Sequence, residues 1–362
     1  MPEAGTVGAA TPSERFDDFF NQALDTHARA EMLAGGPVRR RFRIVGADVE
    51  FRLAHPALAM LFCDALAHIE IDVTGEPDFT FHICDEASSG VDAPPACWNS
   101  AELFGHGEIT ALIDTERYLQ VAPDRGMVSA AHRPSRKAVV WLRRGHAADW
   151  DRAAPLLALI NWWASEVGYF NVHAASVGRP DGGVLIVGPS GMGKSHTAIA
   201  CLDSDLFYVA DDHCLFGTNG GPTSASLYST AKLYAYDLHR FPMLQTRESE
   251  AIRTQEGKAI FFLNAIAPER LSRGFPIRVV LLPHPSGQRD TAIKPVPGSA
   301  ALLLLGSYNV LRWPSVGRTA FARLASGLRS LPCFRLETGT DVSQIPKVIS
   351  AVLDALPGPE AT

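Results

Sequence analysis

No run of apolar residues in the 362-residue sequence is long enough to cross a bilayer, which takes about twenty in a row. The opening residues, Met1 to Arg15, are small and polar and lack an apolar centre, so no secretion signal is expected. Cysteine is sparse. The six present, Cys63, Cys84, Cys97, Cys201, Cys214 and Cys333, show no CxxC pair and no regular spacing. That argues against a zinc site or a disulfide framework and fits a reducing, cytoplasmic setting. An excess of positive charge is also missing: the formal net charge is −6, which gives no global attraction to nucleic acid. The one dense basic run, Arg39-Arg40-Arg41 with Arg43, reads as the solvated start of a strand. Internal repeats and low-complexity tracts are absent, and neither nucleic acid nor a membrane is expected as a partner.

What is there is material for a sizeable core, with 46% hydrophobic and 20% charged residues, in a chain long enough for two domains. Residues 1–14 are expected to lack fixed structure. Phe16, Phe19, Phe20, Ala23 and Leu24 recur at helical spacing and predict a helix over 13–33. Alternation around Gly46-Ala47-Asp48 predicts a hairpin over 42–53, and Pro56 opens a helix running to 67. Strands are expected at 79–83, 108–114, 118–122, 127–131 and 138–142. Residues 15–148 thus read as a small, largely antiparallel α+β domain with no catalytic spacing. From 149 to 362 the texture changes to an α/β domain. It has an apolar helix over 151–167, a strand over 170–177, a turn, an apolar strand over 183–187, a helix to about 202, and a buried strand over 207–210. Strands at 227–233, 259–263 and 277–282 and helices at 319–328 and 342–356 complete it. Trp162 and Trp163 read as packing residues.

The run Gly188-Pro189-Ser190-Gly191-Met192-Gly193-Lys194-Ser195, followed by His196, matches the phosphate-binding pattern G-x-x-x-x-G-K-[ST]. An apolar strand precedes it and a helix follows, the context in which that pattern has meaning. Glycines 188, 191 and 193 are expected to take backbone conformations that other residues resist. The loop amides and the helix N-terminus would face phosphate. Lys194 would reach the β/γ-phosphates and the Ser195 hydroxyl would hold Mg2+. The expected ligands are therefore ATP and Mg2+. Asp211 and Asp212 end the second apolar strand, where one acid can face the metal and the other accept a proton from an attacking hydroxyl.

His173 lies twenty-two residues before Ser195, and Asp211 and Asp212 lie sixteen and seventeen after it. In these intervals, and in the text around them, residues 150–240 resemble the catalytic domain of the HPr kinase/phosphorylase family, P-loop serine kinases built on a mixed sheet. The resemblance implies that fold, which is related to the phosphoenolpyruvate carboxykinases. It also implies Asp212 as general base, Asp211 as a metal-side or positioning acid and His173 as an active-site residue near the reacting phosphate. The chain departs from the family further on. The glutamate–arginine–glycine run needed for the reverse reaction is not found, and 226–233 stands in its place. Lys232 and Lys258 are candidate phosphate or substrate contacts, with ordinary solvation as the alternative for each. The expectation is ATP-dependent phosphorylation of a hydroxyl, a serine of a peptide or small protein foremost. A small-molecule or carboxykinase-like phosphotransferase and a non-catalytic nucleotide-binding regulator are the alternatives. Assembly with further copies of the chain is left open.

Overall fold

The computed structural model describes residues 10–104, 107–123, 125–143, 149–309 and 317–356. The fold is mixed α/β with several open, mixed sheets. The chain divides into two compact units: Met1–Arg41, Val49–Ala59 and Val73–His146 form one, and Phe42–Asp48, Met60–Asp72 and Ala147–Thr362 the other. Among the described residues no helix is long and apolar enough to cross a membrane.

The first unit opens on the helix Pro12–Leu33. Thr11 and Glu14 form a reciprocal cap: the Glu14 N–H donates to the Thr11 hydroxyl, and the Glu14 carboxylate accepts from the Thr11 N–H. That cap starts the helix inside the stretch expected to lack structure, of which residues 1–9 lie outside the described residues. The helix lays Phe16, Phe19 and Phe20 onto a core with Leu119, Val139 and Trp141. Ala47–Leu53, Phe79–Asp85, Lys137–Leu142, Met127–His132 and Arg117–Ala122 adjoin in that order. The first two junctions are parallel and the last two antiparallel, so the sheet is mixed rather than largely antiparallel.

Two local expectations for this part of the chain change. The strand expected over 108–114 reduces to bridges at Glu108 and a short turn, Thr110–Leu112. The Asp114 carboxylate accepts the amides of Glu116 and Arg117, a local alternative to strand pairing. The helix expected over 56–67 is a short helix, Leu58–Phe62, followed by a 3-10 turn, Asp64–Ile69.

In the second unit, the strands Phe207–Ala210, Ala174–Arg179, Gly182–Val187, Gly274–Pro285, Thr223–Ala225, Cys214–Gly217 and Tyr169–Val172 adjoin in that order. Cys333–Thr338 pairs along the end of Gly274–Pro285. The helix Lys194–Ala200 and the helix Gln344–Ala355 bury Ile199 and Ile349 in one core with Val184 and Ile186. Leu185 and Val187, which alternate with them along the strand, sit in another core with Leu305 and Leu324 from the helices Gly298–Asn309 and Gly317–Leu328. Strand alternation therefore sends neighbouring side chains to opposite faces of the sheet. The single helix expected over 151–167 is two, Asp149–Ala153 and Leu157–Ala164. Pro155 has no N–H to continue the first, and Leu156 takes a left-handed conformation at φ 56°. Trp162 and Trp163 are buried, in line with a packing role. A separate three-stranded sheet runs Thr230–Tyr234, Lys258–Phe262, Ile252–Arg253.

Burial of histidine in the first unit has a consequence for acid stability. The His27 and His82 rings meet edge to face at 4.9 Å. Burial, with His27, Arg52 and Lys137 nearby, pushes the His82 imidazole down to about 3. Protonation then favours the unfolded chain, where the group keeps its ordinary value near 6.5. The neutral ring's contribution is whole above about pH 6.5 and is lost as pH falls toward 3, at up to about 1.4 kcal/mol per pH unit. Urea midpoints measured from pH 7 to pH 4 should fall steeply for the native chain and less steeply for His82→Gln. Equal slopes would remove His82 as the cause.

Candidate functional site

The geometry of the site follows from one long ribbon whose pairing lapses at the level of the acid pair. Residues 169–179 run antiparallel to 207–217, with Val172 opposite Cys214 and Ser176 opposite Ala210. Pairing between the two segments lapses between those points, over His173-Ala174-Ala175 on one and Asp211-Asp212-His213 on the other. The expected continuous strand over 170–177 is therefore two strands, Tyr169–Val172 and Ala174–Arg179. The break puts the His173 Nδ1 at 3.1 Å from an Asp212 oxygen. Val187, the last residue before the P-loop, pairs with Ala174, next to His173. Histidine, P-loop and acid pair thus share one end of the sheet. Crevices at the carboxyl ends of strands are where open α/β sheets bind ligands.

Gly191 and Gly193 hold left-handed conformations, φ 84° and 96°, which a side chain would resist. A Cβ at Gly191 would project into open space, so the backbone there is uncovered. Gly188 departs from the expectation: its backbone is not left-handed, and a Cβ would make only ordinary contact with Met192 at 3.6 Å. Pro189, Ser190 and Met192 complete the loop, and Lys194 and Ser195 open the helix behind it. The buried Lys194 ammonium donates to the carbonyls of Gly188 at 2.8 Å and Pro189 at 3.3 Å. Burial lowers its affinity for a proton, while Asp212 and Asp211 oppose that effect and Lys258 adds to it.

The two aspartates occupy different environments. Asp211 is buried and accepts the Lys232 N–H at 2.8 Å, with the Ser195 hydroxyl near enough to favour its ionised form slightly. Burial, then the Asp212 charge, raises its pKa. Asp212 accepts the Lys232 ammonium at 2.9 Å and has His213 Nε2 at 3.7 Å. Burial acts against its charge, but Lys232, His213 and His173 together outweigh it and hold the carboxyl well below its ordinary range. Of the two candidate cations, then, Lys232 is buried and bound to the acid pair. Lys258 instead sits with its ammonium 5.3 Å from the Tyr234 ring centroid. His196, next after Ser195, pairs with Asp237 at 3.1 Å and meets the Phe241 ring edge to face.

Two sets of atoms could receive a cation. The Ser195 hydroxyl and the Asp211 carboxylate form the hard-oxygen pair that suits Mg2+. Among the described residues, His173, Asp212 and His213 also bring one potential ligand atom each within 4.8 Å of one another. The Lys232 ammonium already on Asp212 counts against a divalent ion in that second set. His213 and Asn171 escaped the sequence reading. Asn171 Nδ2 donates to His213 Nδ1 at 3.3 Å, and the Asn171 N–H donates to Asn161 Oδ1 at 2.7 Å. This arrangement leaves Nε2 of His213 to face Asp212. His213 follows the acid pair directly and was open to view. Nothing in the spacing marks Asn171 or Asn161.

No protein-family model matches the chain, and no curated protein matches it.

Lys232 is the test of this electrostatic reading, because removing one partner of a buried pair leaves a charge uncompensated. Lys232→Met should lower unfolding free energy by about 3 kcal/mol. Lys232→Met combined with Asp212→Asn should recover part of that loss. Both are read by urea denaturation. A single variant as stable as the native chain would show that Lys232 does not compensate the acids.

Proposed function

We propose that the chain is an ATP-dependent phosphotransferase acting on a hydroxyl, a serine of a peptide or small protein being the preferred acceptor. The fold type we propose is that of the HPr kinase catalytic domain. The observation that supports this most is the convergence of a P-loop lysine, its serine and two acids in unlike electrostatic surroundings at one end of the sheet. In this reading the amides around Gly191 and Gly193, with Lys194, hold the phosphates of ATP. Ser195 and Asp211 hold Mg2+, which when bound offsets charge on the transferring group. Asp212 faces the acceptor and takes its proton. Lys232, His213 and His173 keep Asp212 ionised and oriented, at the cost of basicity. A weak base suffices when the transition state is loose, because the hydroxyl loses its proton late and positioning dominates.

A second reading, a nucleotide-binding regulator, draws on one specific observation: the ammonium of Lys232 already occupies Asp212. Two variants separate these readings. Saturating Mg-ATP should raise the melting temperature of the native chain, since a ligand that binds only the folded state stabilises it, and Lys194→Ala should abolish that shift. Asp212→Asn should keep ATP affinity within a few-fold while transfer to a serine peptide falls by about 10²–10⁴. Full transfer by Asp212→Asn would remove the general-base role. ATP binding with no transfer to any acceptor would favour the regulator.

A further inference from the structure

The geometry points to a base-stacking subsite formed by Tyr234 and Tyr236, on the nucleoside side of the P-loop. This rests on the nucleotide reading above and adds to it where the base would lie. The two rings are stacked, 5.1 Å between centroids and 9° between planes. They are also exposed, Tyr236 by 70% and Tyr234 by 37%. Two large aromatic rings held parallel at the surface expose flat apolar area that a planar partner would cover. Lys258 adds a cation beside the Tyr234 ring, and its charge also reaches Lys194.

The position of the pair selects the occupant. Tyr234 ends the strand Thr230–Tyr234, and Tyr236 lies in the turn Ala235–Arg240 that follows. Two contacts tie this segment to the site at different points. Lys232 binds Asp212, where the reacting end of a bound nucleotide would be. Asp237 binds His196, in the first turn of the P-loop helix. In a P-loop the lysine reaches the β/γ-phosphates while backbone amides cradle the α/β-phosphates. The Asp237–His196 contact holds this turn against the first turn of the P-loop helix, and Tyr236 is the residue before Asp237. Base stacking on an aromatic ring needs no particular hydrogen-bonding edge, because every base has a π-face. Adenine and guanine nucleotides should thus bind with similar affinity.

Isothermal titration of the full chain with Mg-ATP and with Mg-tripolyphosphate tests this, since tripolyphosphate has the phosphates and no base. The native chain should bind ATP more tightly than tripolyphosphate. Tyr236→Ala should weaken ATP about tenfold or more and leave tripolyphosphate unchanged. Tyr236→Phe should restore ATP binding, which a role for the hydroxyl would not allow. Equal weakening of both ligands, or of neither, overturns the subsite and leaves the P-loop reading standing. An unchanged ATP affinity with a raised KM for the acceptor peptide would overturn it in favour of acceptor recognition. A native chain that binds neither ligand would overturn the nucleotide reading itself.

Discussion

Two adjacent carboxylates at the end of a buried strand set the terms for everything around them. A buried charge is costly unless it is paired and hydrogen-bonded, and like charges side by side add to that cost. The chain meets the problem by making the two acids unequal. Asp211 is folded inward, where burial favours its neutral form and the Lys232 amide donates to one of its oxygens. Asp212 is turned toward cations and stays ionised. One lysine serves both, its backbone N–H bound to Asp211 and its ammonium to Asp212. Neighbouring carboxylates whose environments push them apart are the usual basis for dividing acid and base roles in a site.

The same constraint explains why the ribbon is broken. A continuous pairing of 169–179 with 207–217 would direct side chains alternately to the two faces of a sheet, and both faces here are apolar cores. Asp211, Asp212 and His213 fit neither core. Their strands instead part at that level, and polar side chains from both strands turn to one another. The glycine-rich loop starts one residue laterally from the break, so that loop and the acid pair share an origin in strand register.

How much of this could be read from the sequence depends on how local the cause is. The P-loop is a contiguous pattern, and its strand, loop and helix stand where the pattern places them. The Gly188 expectation failed because the pattern specifies glycine without saying which torsion each one serves. The strand over 207–210 was legible as an apolar run between a helix and two acids. The break at His173 was not, since Val172-His173-Ala174 reads as one strand until its partners are known. Lys232 could be singled out but not assigned, because its meaning lies in register with Asp211, twenty-one residues away. In the first unit the parallel junctions escaped notice, since alternation reports which face is buried and carries no strand direction. Fold class and the strongest motif were therefore local in sequence, and the electrostatic partners were not.

The charge balance at the strand end carries a further implication. Lys194 is held by two loop carbonyls and Lys232 by Asp212, so both ammonium groups already have oxygen partners. A polyphosphate arriving here would compete with those carbonyls for Lys194, and a carbonyl is a weaker acceptor for an ammonium than an anionic oxygen. Lys194 can therefore change partners at small cost. Lys232 cannot, because leaving Asp212 would strand a carboxylate beside the incoming negative charge. With one lysine ammonium for two carboxyl groups, the acid pair and a phosphate would repel one another across the site unless a further cation lies between them. Asp211 and the Ser195 hydroxyl are placed to hold one, and a divalent ion there would also reverse the effect of burial on Asp211 by favouring its ionised form. In the proposed reading, nucleotide binding should accordingly depend on the cation, which would lie between the acid pair and the glycine-rich loop.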